Sequence, residues 1–180
     1  LGFGKTEAGG QTALDLFDPG VMPLALAAPT HKLNKEVRDR VRAMGKARNS
    51  AARIAMQIGR DSIDPDGDGA ALMCSQIDIV REVQAAGISD IQGHVCRRVV
   101  IATDAEGRKV KTEHLCPDFR SCRYQENHAE VKDADIVLVS HAALGHRGAK
   151  KYAALFIDEN PIHAMLRGHG GSEDRPREWI

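Results

Sequence analysis

Two short stretches at opposite ends of this chain carry residue types that handle phosphate. Gly2, Gly4, Lys5, Thr6 and Glu7 lie in the opening run LGFGKTE. Glycines followed by Lys-Thr form the closing half of a phosphate-binding loop, G-x-x-x-x-G-K-[ST]. Backbone N–H groups and a helix N-terminus cradle the anion there, because both present unpaired donors. Lys5 would reach the β and γ phosphates, and the Thr6 hydroxyl would ligate Mg²⁺. The first glycine of the pattern falls two positions before Leu1. Toward the other end, Ala154-Leu-Phe-Ile-Asp158-Glu159 is an apolar run ending in two carboxylates. Parallel strands deliver functional groups at their carboxyl ends. Asp158 is therefore expected to hold the Mg²⁺ and Glu159 to polarise the attacking water. Alone, the first stretch is a glycine-rich turn with an incidental lysine, and the second a strand followed by solvated acids. In this order and about 150 residues apart, they predict an ATP site.

The second chemistry-bearing set is four cysteines, Cys74, Cys96, Cys116 and Cys122, with 21, 19 and 5 residues between neighbours. Cys96 and Cys116 lie ten residues either side of Glu106, in a turn-forming segment, Asp104-Ala-Glu-Gly107. Hairpin pairing about that turn brings the two face to face. The short Cys116–Cys122 loop adds a third thiolate, and Cys74, just before a helix, a fourth. Four thiolates suit an iron–sulfur cluster or a Cys₄ zinc site. The wide spacing, without tight C-x₂₋₄-C pairs, leans toward the cluster. His94 and His114 flank the hairpin and would be substitute ligands. Four reduced core cysteines are the plain alternative.

These residues need elements to position them. A helix is expected from Thr6 to Phe17, weakened by Gly9-Gly10, each costing about 1 kcal/mol relative to alanine. Asp18-Pro19-Gly20 reads as a turn. The apolar run Pro23 to Ala28 lacks alternation, as in a strand buried on both faces. His31 to Gly45 has Leu33, Val37, Val41 and Met44 at helical spacing, with Gly45 as the expected cap. Arg53 to Ile58 alternates, with Ile54, Met56 and Ile58 on one side. A helix over Ser75 to Ala86 takes Ser75 as N-cap and Gly87 just past its end. Val95 to Ile101 and Arg108 to Thr112 form the hairpin. Asp135 to Ser140 and Ala153 to Asp158 are further buried strands, and from Arg167 the chain turns Gly-rich and charged. Asp64-Pro-Asp66-Gly-Asp68-Gly69 has the look of a calcium loop, but Ser75 stands where the bidentate glutamate belongs, so a surface turn is expected. No internal repeat is present. Strands alternating with helices predict an α/β fold with a mostly parallel sheet.

At this point GFGKTE, LALAAPTHKL, DADIVLVSHAAL and LFIDEN together resemble motifs I and Ia, the strand before motif II, and motif II of superfamily 2 helicases. The resemblance is closest to the iron–sulfur branch, the XPD/DinG-type DNA helicases, and covers nearly the whole chain. It implies a P-loop, RecA-like parallel sheet flanked by helices, interrupted by a cysteine-bearing insertion that holds a 4Fe–4S cluster. The implied layout is residues 1–60 and 131–166 as motor domain, 61–130 as insertion, and 167–180 as a flexible tail. It further implies ATP hydrolysis with Mg²⁺ to drive movement on single-stranded or forked DNA. Pro29, Thr30, His31 and Lys32 would touch the backbone of the tracked strand. The insertion would act as a wedge at the fork, with Arg97, Arg98, Arg108, Lys109, Lys111, Arg120 and Arg123 facing phosphates. His141 would sit near motif II. The chain reads as a fragment of the first RecA-like domain, needing a second such domain of its parent and inactive alone. A P-loop ATPase with a zinc-stabilised nucleic-acid-binding module is the alternative. Motif II reads Asp158-Glu159-Asn160-Pro161 where the family has Asp-Glu-Ala-His. Both carboxylates stay, while the coupling of hydrolysis to movement would change.

Composition sets outer bounds. Lys plus Arg and Asp plus Glu balance at 25 each, so any anionic ligand must be met by a local patch and not by a global field. No apolar run approaches the ~20 residues of a membrane span. Clustered cysteines, all between 74 and 122, fit a cytoplasmic setting and metal ligation better than disulfides.

Overall fold

The computed structural model describes residues 3–67, 69–144 and 152–157. They divide into two compact units, one drawn from Leu1–Gln57 and Glu130–Ile180, the other from Ile58–Ala129.

The first unit is an α/β layer built on four parallel strands. These are β1 (Leu24–Ala28), β2 (Ile54–Met56), β5 (Ile136–Ser140) and β6 (Ala154–Ile157), in the order β2-β5-β1-β6. Register runs Leu24 against Ile136 and Ala154, and Ile54 against Ile136. β1 and β2 are buried along their whole length, and β5 along all but its last residue. Strands covered on both faces read as continuous apolar runs, which is why Leu24–Ala28 shows no alternation. The same reason corrects the reading of the second strand. Ala55 is as buried as Ile54 and Met56, so that strand has no solvent face. Helices α1 (Phe3–Asp15) and α2 (His31–Ala47) flank the sheet.

The expected helix boundaries shift for physical reasons. α1 begins at Phe3, so Gly4, Lys5 and Thr6 lie within its first turns. Gly10 permits close helix packing: a Cβ there would meet Val41 Cγ2 of α2 at 2.6 Å. The glycine pair therefore weakens the isolated helix and tightens its packing. α2 starts where expected, with the Thr30 hydroxyl oxygen accepting from the Leu33 amide at 3.2 Å. Gly45 is not its cap. It is a buried helical residue 3.6 Å from Leu14, by its would-be Cβ, and Asn49 takes the left-handed conformation instead (φ 53°). Asn tolerates that region better than most side chains do.

The second unit is assembled differently. It holds α3 (Ile77–Ala85), a π-helical turn (Gln92–Cys96), the antiparallel pair β3 (Arg97–Thr103) and β4 (Lys109–Leu115), and a 3₁₀ turn (Phe119–Ser121). Most of α4 (Arg123–Asp133) also belongs here, a helix the apolar spacing did not show. Its apolar cluster is small: Cys74, Ile77, Val80 and Ile91, with Leu72, Val83 and Val95 against them. The hairpin is exposed on both faces. Its turn is fixed by Asp104, whose Oδ1 accepts from the Glu106 and Arg108 amides, and by Gly107 at φ 80°.

Ser75 does not cap α3. Its hydroxyl donates to Asp118 at 2.7 Å, Gln76 Nε2 donates to the same carboxylate at 2.9 Å, and Gln76 takes the cap position. The Asp64 segment is the expected turn, exposed at Asp66, Gly67 and Gly69, but its first residue is an anchor. Asp64 is buried, accepting from Arg123 Nε at 2.8 Å and from the Asp66 amide at 3.0 Å. That carboxylate is committed to holding the unit together.

Candidate functional sites

In the first unit, Lys5 stands on α1, exposed, at the wall of a pocket of about 740 Å³. The wall also includes Ala8, Gly9 and Thr12 of α1, the carboxyl half of β1, and Leu155 to Ile157 of β6. α2 contributes Asn34 and Val37. Thr12 is self-satisfied, its hydroxyl donating to the Ala8 carbonyl at 2.8 Å. Glu7 is exposed on α1, and the backbone of Thr6 is helical. Gly2, Asp158, Glu159, Asn160 and Pro161 lie outside the described residues.

Beyond the carboxyl end of β1, Pro29 is half-buried and Thr30 caps α2. His31 and Lys32 open that helix, Lys32 exposed. The four follow one strand end directly, at the start of a helix whose Leu33 amide is taken by the Thr30 hydroxyl and whose Asn34 amide donates to the Thr30 carbonyl. Two buried polar groups stand out, Asn34, which sequence spacing did not signal, and His141, which the resemblance had put near motif II. Asn34 is fully buried with neither amide atom hydrogen-bonded, and His141 is buried with Nε2 unpartnered. Buried polar atoms without partners are uncommon.

In the second unit, the hairpin register extends to the cysteines. Arg97 pairs with Leu115, and one step further the Cys116 amide donates to the Cys96 carbonyl at 3.0 Å. The symmetric spacing about Glu106 thus becomes a cross-strand neighbour pair. The Cys74 amide donates to the Arg60 carbonyl at 3.0 Å, and Cys122 Sγ lies 3.9 Å from the Met73 carbonyl. All four thiols are free, Cys74 and Cys96 buried, Cys116 and Cys122 half-buried. Burial pushes the Cys74 and Cys96 thiols up. Cys122 and Cys116 add to the rise at Cys74, and Cys74, Cys122 and Cys116 to that at Cys96. Each buried thiol therefore lies within electrostatic reach of Cys116 and Cys122, and Cys96 within that of Cys74. Among the described residues, no three His, Cys, Asp or Glu side chains are gathered as ligands of a single metal ion.

Arg60 opposes those rises from the protein side. One of its N–H groups points at Cys96 Sγ, 3.4 Å away, and it carries a positive charge beside both buried thiols. Sequence spacing gave no hint of this residue, since it lies 14 positions before the first cysteine.

The cations expected to face phosphates sort into two kinds. Arg97 pairs with Glu113, Arg108 with Asp104 and Glu106, and Arg123 with Asp64 and Glu126. Arg123 is thus a structural cation, not a free phosphate contact. Arg98, Lys109, Lys111 and Arg120 form no ion pair among the described residues, and all four are exposed. No helix among the described residues is long and apolar enough to cross a membrane.

No family model matches the chain, and no curated protein or solved structure is similar to it at a significant level.

Proposed function

We propose that this chain is part of an ATP-driven motor that moves on single-stranded or forked DNA, built on a RecA-like P-loop sheet and carrying a cysteine-held 4Fe–4S insertion. One observation carries the ATP reading. Lys5 and the carboxyl-terminal residue of β6, Ile157, line the same pocket, and Asp158-Glu159 are the next two residues in sequence. A phosphate-binding lysine and a strand that leads directly into two carboxylates thereby share one cavity. This is the pairing that nucleotide hydrolysis needs, with the anion held by the lysine and the carboxylates serving Mg²⁺ and the attacking water.

Support for the nucleic-acid reading comes from Thr30 and Lys32 at the start of α2 and from Arg98, Lys109 and Lys111 on the hairpin. A backbone-tracking site needs such sequence-independent cations and helix-terminal donors. Support for the cluster comes from donor chemistry. Four free thiols, the two buried ones within electrostatic reach of the other two, fit a Cys₄ ligand set for iron–sulfur. Bound there, the group would hold the hairpin base, the Cys74 segment and the Cys122 turn together.

The test is nucleotide binding by the 180-residue chain with Mg²⁺, read by anisotropy of a fluorescent ATP analogue. Lys5→Ala should weaken binding by about tenfold or more, the worth of a hydrogen bond to a charged group. An affinity indifferent to Lys5→Ala ends the ATP reading.

A further inference from the structure

A held cation stands beside the two buried thiols. Arg60 Nη1 points at Cys96 Sγ at 3.4 Å, and its Nη2 donates to Gln92 Oε1 at 3.2 Å. Its guanidinium carbon lies 3.9 Å from the centroid of the Tyr124 ring, a cation–π stack that fixes the plane of the fork. Both supports are themselves held. The Gln92 and Gln125 amides exchange hydrogen bonds at 3.1 Å, and the Tyr124 amide donates to the Met73 carbonyl at 3.0 Å, one residue before Cys74. Gln92 and Cys96 begin and end the same π-helical turn, so one local distortion presents an anchor and a thiol to the same guanidinium. π-turns of this kind concentrate at functional positions. The Gly93 amide of that turn donates to Asp90 Oδ1 at 2.9 Å. A side chain with so much conformational freedom is rarely held at three points without a role.

We infer that Arg60 is a positioning residue for the cysteine site: a fixed cation and N–H donor to the Cys96 sulfur that raises the reduction potential of an iron–sulfur cluster bound there. The inference rests on the cluster reading above and adds to it the residue that sets the cluster's electronics. The reasoning is electrostatic. Taking up one electron adds a negative charge to a group ligated by four thiolates. A positive charge and a hydrogen bond to one ligand sulfur stabilise the reduced form more than the oxidised one. A guanidinium is suited to this task, since it stays charged at any working pH and stacks on an aromatic face as lysine does not.

The experiment is anaerobic reconstitution of the 180-residue chain with ferrous iron and sulfide, followed by a dye-mediated titration with dithionite as the electron source. Visible absorbance near 400 nm reports the cluster and its midpoint potential. Arg60→Gln should shift the reduced-to-oxidised ratio at fixed potential about tenfold toward the oxidised form, the worth of one charge-assisted hydrogen bond. For a one-electron couple this is ~59 mV to more negative values. Tyr124→Leu, which frees the guanidinium but keeps it, should move the potential the same way by less. If Arg60→Gln fails to hold the cluster, Tyr124→Leu decides alone. A cluster with unshifted potential in whichever of these variants loads overturns the role of Arg60 and leaves the cluster reading standing. A wild-type chain that binds no iron, or binds zinc alone, overturns both.

Discussion

The two units of this protein solve the same stability problem by different means. The sheet unit buries apolar surface. Ile136, Val137, Leu138 and Val139 are fully buried, and they run beside the equally covered β1 and β2. The cysteine unit contains a two-stranded hairpin exposed on both faces and an apolar cluster of four buried residues. An isolated hairpin is marginal in water, and a small domain with little core needs cross-links of another kind. Here they are polar. Asp64 is tied to Arg123, Asp118 binds Ser75 and Gln76, and Asn127 Oδ1 accepts from the Ile58 amide at 3.2 Å. A metal held by the four thiols would be a further such cross-link. Burial thus makes the sheet rigid without naming a ligand, whereas directional bonds make the cysteine unit depend on its chemistry.

The largest effect should come from breaking the sheet's side of this contrast. Leu138→Ala removes a fully buried side chain from the central strand pair and should cost about 3–4 kcal/mol. Urea unfolding measures the loss, and hydrogen exchange locates it. Protection should fall in β1, β2 and β5 and persist in residues 58–129. Equal loss of protection in both units would show that their stabilities are not separable.

A smaller effect should come from the polar side. Arg123→Ala leaves the buried Asp64 carboxylate with only the Asp66 amide and should cost about 2 kcal/mol, localised to residues 58–129. The same pair gives a pH signature. The Arg123 hydrogen bond holds the Asp64 carboxyl below its ordinary value, and Gln76 and Ser75 do so for Asp118. A carboxyl with a depressed folded pKa contributes stability that is present above its unfolded value, near 4. That contribution is lost as pH falls through the lower folded value. Exchange protection in the cysteine unit should therefore decline below about pH 4, and Asp64→Asn should flatten the decline. An unchanged acid profile in Asp64→Asn removes the pair as its source.

The smallest effect lies at the start of α2. Thr30→Ala deletes the cap acceptor of the Leu33 amide and should cost about 1 kcal/mol, measured by thermal unfolding. Thr30→Asp should restore stability, because it replaces the acceptor, while its negative charge should weaken single-strand DNA binding. If Thr30→Asp instead leaves DNA binding unchanged, the residues at the end of β1 do not face a phosphate backbone.

The sequence determined where the sheet strands lie, the start of α2, and the hairpin, because each is written in local terms. It did not show that β2 is covered on both faces. Its reading of β6 as a buried strand fails, since that edge strand alternates between half-buried and exposed residues. Apolar runs without alternation mark strands covered on both faces, Thr before a periodic helix marks a cap, and Asp-x-x-Gly marks a turn. It also offered the Lys5, Asp158-Glu159 and four-cysteine sets as candidates, and the symmetry of Cys96 and Cys116 about Glu106 made their pairing legible in advance. It did not show α4, whose run RYQENHAEVKD carries weak amphipathic spacing, nor that Gly10 and Gly45 serve packing. Only the tertiary structure decided which charges are free and which are spent. Arg123, Arg97 and Lys109 read alike along the chain. Folding commits Arg123 to Asp64, 59 positions away, and Arg97 to Glu113, and leaves Lys109 exposed and outside any ion pair among the described residues. Arg60 is the sharpest case. Its sulfur, glutamine and tyrosine partners lie 36, 32 and 64 residues down the chain, and no local periodicity encodes a contact made at that distance. Spacing records what a backbone element does with its own neighbours, and the partners of a long polar side chain are fixed only when distant segments meet.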